Sequence, residues 1–216
     1  VMIAPSTSVV AGLFSVVLPQ ERTGDTGTLV QLFKGSTTAT LQLNDHVHFN
    51  SFSTALCNDM CHAVDHVRTL ANVTANVLQG AGPHFSVGGN PYASRHSVPL
   101  TPVEFIVSLR EVYEGFIQLR TLPHPIACAV HGTLVGGGVA GCMHSDYISA
   151  ERASIFEHGN LVRGVCALGM LSKTFTNVLG ARAQYVYLRN ERLDAVMALS
   201  LGLVQRVASG VITNKE

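Results

Sequence analysis

Glycine residues form the two segments of this sequence that are best suited to chemistry. Three consecutive glycines, Gly136 to Gly138, follow an apolar run at 126–130, and Gly88 and Gly89 follow Phe85. Glycine lacks a Cβ atom and tolerates positive φ, so its backbone amides can approach a ligand closely. If both segments direct amides to one point, they form a two-donor oxyanion hole, which stabilises an enolate or a tetrahedral anion. Either segment taken alone is equally typical of a tight turn.

Composition excludes several classes of function. The 216 residues contain 14 Lys and Arg and 14 Asp and Glu, and 47% of the residues are hydrophobic. This composition is not that of a disordered chain, and the balanced charge predicts no nucleic-acid partner and no attraction to an anionic membrane. Five cysteines are an odd number for a disulfide framework, which indicates a reducing compartment. With no signal peptide and no membrane span in the sequence, we expect a cytoplasmic protein.

The hydrophobic pattern predicts an α/β protein. Its opening reads as a β-meander of three strands, at 9–18, 28–33 and 38–43, with a polar turn at 20–27. Apolar residues then recur at helical spacing from Phe52 toward Leu78, with Ser51 or Ser53 as the cap.

A second amphipathic helix is predicted over 103–119, and the prolines at 123 and 125 end it. Its expected apolar face comprises Phe105, Ile106, Leu109, Val112, Phe116 and Ile117. Strands follow at 126–130 and 147–150, and a helical stretch from 180 to 200 breaks at Gly202. The order of strand, glycine loop, helix and strand is typical of right-handed α/β crossovers.

Four motifs together resemble the crotonase (enoyl-CoA hydratase/isomerase) superfamily. In chain order they are FSVGGN at 85–90, HGTLVGGG at 131–138, DYISA at 146–150 and ALSLGLV at 198–204. The segment VHFN at 47–50 is similar to the part of that family whose backbone helps to bind the thioester cofactor. The resemblance covers roughly residues 28–207.

This resemblance implies a spiral of ββα units, here with the C-terminal helical part short or missing. It implies an acyl thioester substrate, an oxyanion hole from the amides of Gly89 and Gly137, and thioester binding by Val47, His48 and Phe49. No cofactor is implied beyond the phosphopantetheine or CoA that the substrate carries. We expect residues 1–216 to be one such domain, excised from a longer polypeptide, and a homo-oligomer, which is a trimer in the family.

Two departures from the family pattern affect the expected reaction. Ala140 and Asn160 stand where hydratases carry their catalytic glutamates, so the acid and base that water addition requires are both missing. An amide such as Asn160 can orient a carboxylate or carbonyl but cannot transfer a proton. The pattern resembles the crotonase-like enzymes of polyketide β-branching, which dehydrate or decarboxylate groups bound to an acyl carrier protein. We therefore expect a lyase of that type.

The proton must then come from another side chain. His158 lies two residues before Asn160, and His96 lies just past the first glycine segment. Histidine titrates near neutral pH, which makes these two the candidates. Two alternatives remain open: an enoyl-CoA hydratase or isomerase that uses Glu157 as its base, and an inactive crotonase-like docking domain.

A metal site is not expected. Two Cys and two His residues, Cys57, Cys61, His62 and His66, form two i,i+4 pairs on the first predicted helix. The pairs are offset by about 100° around a helix of 3.6 residues per turn, so one tetrahedral ion could not reach all four.

Overall fold

A seven-stranded sheet organises the molecule in this computed structural model, which describes residues 21–22, 29–89, 101–164 and 171–208. Its strands, in chain order, are β1 (Glu21–Arg22), β2 (Val30–Lys34), β3 (Thr38–Leu43), β4 (Ala75–Gly80), β5 (Ile126–Val130), β7 (Tyr147–Glu151) and β10 (Arg206–Ala208). They lie side by side in that order, antiparallel from β1 to β3 and parallel from β3 onward. A smaller sheet contains β6 (Thr133–Val135), β8 (Ile155–Glu157) and β9 (Arg192–Asp194). The predicted α/β class is confirmed.

The predicted meander is partly outside the described residues. Its strand at 9–18 lies there, whereas β2 and β3 form an antiparallel hairpin close to the predicted positions. The segment predicted as a polar turn contains β1, which pairs with the far end of β2.

Helix α1 (Thr54–Thr69) begins where the cap was expected. The Ser53 hydroxyl accepts a hydrogen bond from Leu56 N–H at 3.2 Å, and Leu56, Met60 and Val64 are fully buried. The expected continuation toward Leu78 is wrong. The helix ends at Thr69 because Leu70 adopts an extended conformation. Asn72 then turns the chain at φ of 68°, and the apolar residues that follow form β4 between two parallel strands. A parallel strand that is buried on both faces does not alternate apolar and polar residues, so its sequence resembles a continuation of the helix.

Helix α2 (Pro102–Ile117) starts with a capping box. Thr101 Oγ1 accepts from Glu104 N–H, the Glu104 carboxylate accepts from Thr101 N–H, and Pro102 occupies the first turn. A 3₁₀ turn at 118–121 follows before the prolines. Phe116 is buried, but Ile106 is 64% exposed, so the predicted apolar face is wrong at that residue.

Four further helices complete the described chain: α3 (Gly137–Cys142), α4 (Leu171–Leu179), α5 (Arg182–Arg189) and α6 (Ala195–Ser200). The single helical stretch expected from 180 to 200 is wrong, because Asn190 adopts a left-handed conformation at the end of α5. β9 then pairs with β8 and buries Leu193, and Asp194 caps α6 through Met197 N–H at 2.7 Å. Within the described residues, no helix has the length and apolar character needed to cross a membrane.

Candidate active site

The two glycine segments lie against each other. Gly88 has φ of 82°, and a Cβ atom built on it would lie 2.2 Å from the Val135 carbonyl oxygen and 3.0 Å from Gly137 N. A Cβ built on Gly137 would in turn lie 3.5 Å from Gly88 Cα. Real Cβ atoms do not approach backbone atoms to 2.2 Å, so any side chain at Gly88 would push the segments apart. Glycine at this position is therefore a condition of their contact.

Backbone pairing sets the register between the two segments. Phe85 N–H donates to His131 O at 3.0 Å, and Ser86 forms a parallel bridge with Leu134 of β6. β6 leads directly into Gly136, so the first segment runs beside the strand that delivers the second. The ring of Phe52, which lies just before α1, packs against this region, because a Cβ on Gly137 would lie 3.1 Å from two of its ring carbons.

The amides of Gly89 and Gly137 are available to a ligand. Gly137 begins α3, where helix geometry provides no acceptor for its N–H. Gly89 forms a bridge with Phe52, which donates its own N–H to Gly88 O at 2.7 Å, and no described residue lies within 4 Å of a Cβ built on Gly89. Among the described residues, neither N–H donates to another protein group. Oxyanion stabilisation requires two such donors that are directed at the same oxygen atom.

The segment 47–50, predicted to bind the thioester cofactor, borders the first glycine segment. Phe49 O accepts from Val87 N–H at 3.2 Å, and the side chains of Val47, His48 and Phe49 reach the surface. Asn50 anchors the segment from inside: its Nδ2 donates to the carbonyls of Ala81 and His84 at 2.8 and 2.9 Å. The three predicted contact residues are thus exposed, and the hydrogen bonds of Asn50 hold their segment in place. We call these three residues the exposed edge.

The two positions that would carry glutamates lie at the triple glycine. Ala140 is buried on α3, and its N–H donates to Gly136 O at 3.0 Å. Asn160 is also buried, and its Oδ1 lies 3.0 Å from a Cβ built on Gly136. The structure therefore places Asn160 beside the triple-glycine segment, and its role in the site stays a prediction.

Comparison with known proteins identifies the family to which this site belongs. Residues 34–213 match the enoyl-CoA hydratase/isomerase family. The chain belongs to this family. It is 25% identical over 171 residues to the trans-2-decenoyl-[acyl-carrier-protein] isomerase of Streptococcus mutans, covering 78% of the chain and 65% of that protein. It is 27% identical over 176 residues to the 1,2-epoxyphenylacetyl-CoA isomerase of Escherichia coli, covering 78% of the chain and 65% of that protein.

Solved structures show the same fold. The enoyl-CoA hydratase of Bacillus anthracis superposes with a TM-score of 0.77 at 19% identity, covering 83% of this chain and 70% of that one. This confirms the crotonase fold for the hydratase/isomerase family member described here.

The His158 ring lies against two helices of this crotonase-family chain. It contacts Phe175 of α4 and Tyr187 of α5 edge to face, with ring centroids 5.3 and 4.7 Å away. The residue is 4% exposed, and burial lowers the pKa of the imidazole. Its Nδ1 has no hydrogen-bond partner among the described residues. The ring also borders a cleft of about 470 Å³ that these two helices line. The other predicted proton carrier, His96, lies outside the described residues.

Glu157 occupies an ion-pair cluster that the sequence did not predict. Its carboxylate oxygens lie 3.1 Å from Arg163 Nη1 and 3.4 Å from Arg192 Nε. The sequence gives only a weak signal for this cluster, because Arg192 is far from Glu157 along the chain and lies in a stretch whose pattern predicts a helix.

Cys57, which belongs to the cysteine and histidine pairs on α1, has the surroundings of a residue that packs in the core. Cys57 is fully buried, its thiol donates to Val112 O at 2.7 Å, and burial raises its pKa. No group of three or more metal-binding side chains occurs within the described parts of the chain.

Proposed function

We propose that this chain acts on an acyl thioester and stabilises the enolate that forms at its carbonyl. The N–H groups of Gly89 and Gly137 would donate to the thioester oxygen as negative charge develops there. The contact between Gly88 and Gly137 carries this proposal, because it brings two free donors into adjacent loops. Such donors act where charge appears during the reaction and therefore lower its barrier.

CoA is the proposed carrier of the acyl group. Membership of the enoyl-CoA hydratase/isomerase family supports it, as does the exposed edge formed by Val47, His48 and Phe49 beside the first glycine segment. One of the similar proteins is named as an isomerase of a trans-2-decenoyl group on an acyl carrier protein, so an acyl group on a carrier protein is the second substrate class proposed for the same site.

Isomerisation of an enoyl thioester fits the side chains better than hydration. It removes a proton from the carbon beside the thioester carbonyl and returns a proton two carbons further along, so one proton carrier can serve. Hydration needs a base for water and an acid for the α-carbon. Ala140 and Asn160 supply neither. The proposed proton carrier is therefore His158 or His96.

Decarboxylation is the second candidate, and Asn160 favours it. When a distal carboxylate leaves as CO₂, the electrons of the broken carbon–carbon bond form the same enolate, which then takes up a proton. No base is needed for that step, and a buried amide at Asn160 could orient the carboxylate. This is the chemistry expected in polyketide β-branching, together with the related dehydration. The family match and the similar proteins give more support to acyl-CoA metabolism.

Two substitutions at Gly89 test the oxyanion hole. Gly89→Pro removes the N–H, whereas Gly89→Ala keeps it and places its Cβ more than 4 Å from the other described residues. Loss of one donor should lower kcat by about 10²–10³-fold. Both variants and the parent would be assayed with 3-enoyl-CoA, 2-enoyl-CoA and 3-methylglutaconyl thioesters on CoA and on acyl carrier protein.

The outcomes separate the candidates. Isomerisation predicts turnover of 3-enoyl-CoA that falls in Gly89→Pro and persists in Gly89→Ala, and decarboxylation predicts the same pattern with release of CO₂ from the glutaconyl substrates. Equal loss in both variants would contradict the role of the N–H. Thioester binding without turnover by the folded parent would instead indicate a docking domain.

A further inference from the structure

Glu157 faces away from the core and toward two cations. In a strand, neighbouring side chains point to opposite faces. Phe156 is buried, so Glu157 occupies the other face of β8, directly across from Arg192 of β9 in the antiparallel register. Opposite charges at such cross-strand positions attract each other.

Both oxygens of the Glu157 carboxylate are engaged. Oε1 lies 3.1 Å from Arg163 Nη1 and 3.4 Å from Asn190 Nδ2, and Oε2 lies 3.4 Å from Arg192 Nε. The Glu157 side chain is 13% exposed, whereas those of Arg163 and Arg192 are 52% and 63% exposed. The carboxylate is therefore the inner member of a cluster whose cations reach the solvent.

The same partners hold the backbone that follows Glu157. Arg163 Nη1 also donates to Gly159 O at 2.7 Å, and Gly159 N–H donates to Asn190 Oδ1 at 3.0 Å. Gly159 has φ of 68°, and a Cβ there would lie 2.4 Å from Arg163 Nη1. The turn at Gly159 is thus fixed on both its N–H and its C=O by groups that also contact the Glu157 carboxylate.

This turn carries Asn160 and meets the triple glycine. Gly136 N–H donates to Glu157 O at 2.9 Å, and Asn160 Oδ1 lies beside Gly136. We propose that Glu157 is a positioning residue, which acts through Arg163 and Asn190 to hold the Gly159–Asn160 turn against Gly136. This inference rests on the proposed function for its effect on catalysis, and on the hydrogen bonds alone for its effect on the turn.

The assignment differs from that of a general base. A base must come within about 2.6–3.2 Å of the proton that it removes, directly or through one water. The Glu157 oxygens are directed instead to three side-chain donors of the protein. The Glu157 carboxylate therefore organises the turn, and it does not act as the base that removes the substrate proton.

Glu157→Gln tests the two roles, because glutamine keeps the shape and loses the charge. A positioning role predicts that kcat falls about twofold to tenfold, the range expected for partly exposed ion pairs, with KM and the pH profile unchanged. A general base would cost about 10²–10⁴-fold and remove the acidic limb of the pH profile, which would overturn the proposal. Asp65→Asn is the matched control, since it removes a carboxylate from the exposed Arg68 pair on α1.

Arg163 provides the second test. If Glu157 acts through Arg163, Arg163→Gln lowers kcat to a similar extent, and the double variant with Glu157→Gln is no slower than the slower single variant. Fully additive losses would mean independent roles and would overturn the proposal. Arg163→Lys should restore kcat in part, because it keeps a positive charge near the Glu157 carboxylate and Gly159 O, which both contact the single Nη1 atom of Arg163.

Amide hydrogen exchange tests the turn without any substrate. In Glu157→Gln, exchange at Gly136 and Gly159 should accelerate about twofold to tenfold, while Asn76, whose N–H donates to Pro125 O in the large sheet, stays unchanged. Unchanged exchange at both glycines would overturn the proposal. If the parent turns over no thioester, the proposed function fails, and the exchange result still decides the role of Glu157.

Discussion

Gly88 determines whether the two glycine segments can touch. Its positive φ is one that other residues adopt only with strain, and its Cα hydrogen faces Val135 O and Gly137 N. Gly202 has nearly the same φ, 77°, but nothing lies within 4 Å of a Cβ built there. The two glycines therefore separate the cost of the backbone conformation from the cost of the contact.

We expect Gly88→Ala to destabilise the protein more than Gly202→Ala and to abolish turnover. Gly202→Ala should cost about 1–2 kcal/mol of unfolding free energy, the penalty of a left-handed alanine. Gly88→Ala should cost about 1–3 kcal/mol more, because its methyl group collides with the other segment. Urea unfolding measures both values. Equal costs, or an active Gly88→Ala variant, would show that the segments need not touch.

At the scale of elements, a buried hydroxyl holds the first glycine segment in shape. Ser86 Oγ donates to Asn50 O at 2.7 Å and accepts from Gly88 N–H at 3.2 Å. Ser86 and Asn50 are both fully buried, so water cannot replace either bond. This side chain connects the segment at 47–50 with the first glycine segment.

Ser86→Ala should cost about 1–3 kcal/mol of unfolding free energy, since it leaves a buried carbonyl and a buried N–H without partners. It should also lower kcat, because Gly88 precedes the donor at Gly89. Ser86→Thr tests the reason: it keeps the hydroxyl and should retain more stability and activity if its extra methyl group fits. An alanine variant as stable as the parent would mean that these bonds contribute nothing net.

The elements that sequence could predict are those with a local signal. Residue types within a few positions specify three of these features: the Ser53 cap, the end of α2 at the prolines and the strand at 126–130. β4 and β9 do not, because each is a strand only through its neighbours in a sheet. The site divides in the same way. Glycine segments are visible in sequence, whereas the partners of Glu157 converge from β9 and from the residue after α5.

At the scale of the whole molecule, the chain accounts for about two thirds of its relatives' length. It covers 65% of the S. mutans isomerase and 70% of the B. anthracis hydratase. Large apolar side chains on α5 and α6, including Tyr185, Leu188 and Val196, are exposed. The single domain over 1–216 and the expected homo-oligomer stay predictions. The mass of the protein in solution would test the oligomer.

Acid should destabilise the whole molecule through histidine. Burial lowers the pKa of His158, and burial together with the neighbouring His131 lowers that of His84, whose Nδ1 accepts from Thr133 N–H at 3.1 Å. Unfolding returns both rings to a pKa near 6.5, so the unfolded chain binds more protons. Stability is therefore fully present above pH 6.5 and decreases as the pH falls from there toward the folded-state values.

The loss is at most about 1.4 kcal/mol per pH unit for each proton taken up, and less for the partly exposed His84. Urea unfolding at pH 7.5 and pH 5.5 measures it, and His158→Gln should narrow the difference because a glutamine cannot titrate. An unchanged difference in that variant would assign the acid sensitivity to other groups. The neutral form of His158, which is present at pH 7, is also the form that accepts a proton. Turnover assays of His158→Gln would therefore show whether the histidine that makes stability pH-dependent also takes part in the proposed reaction.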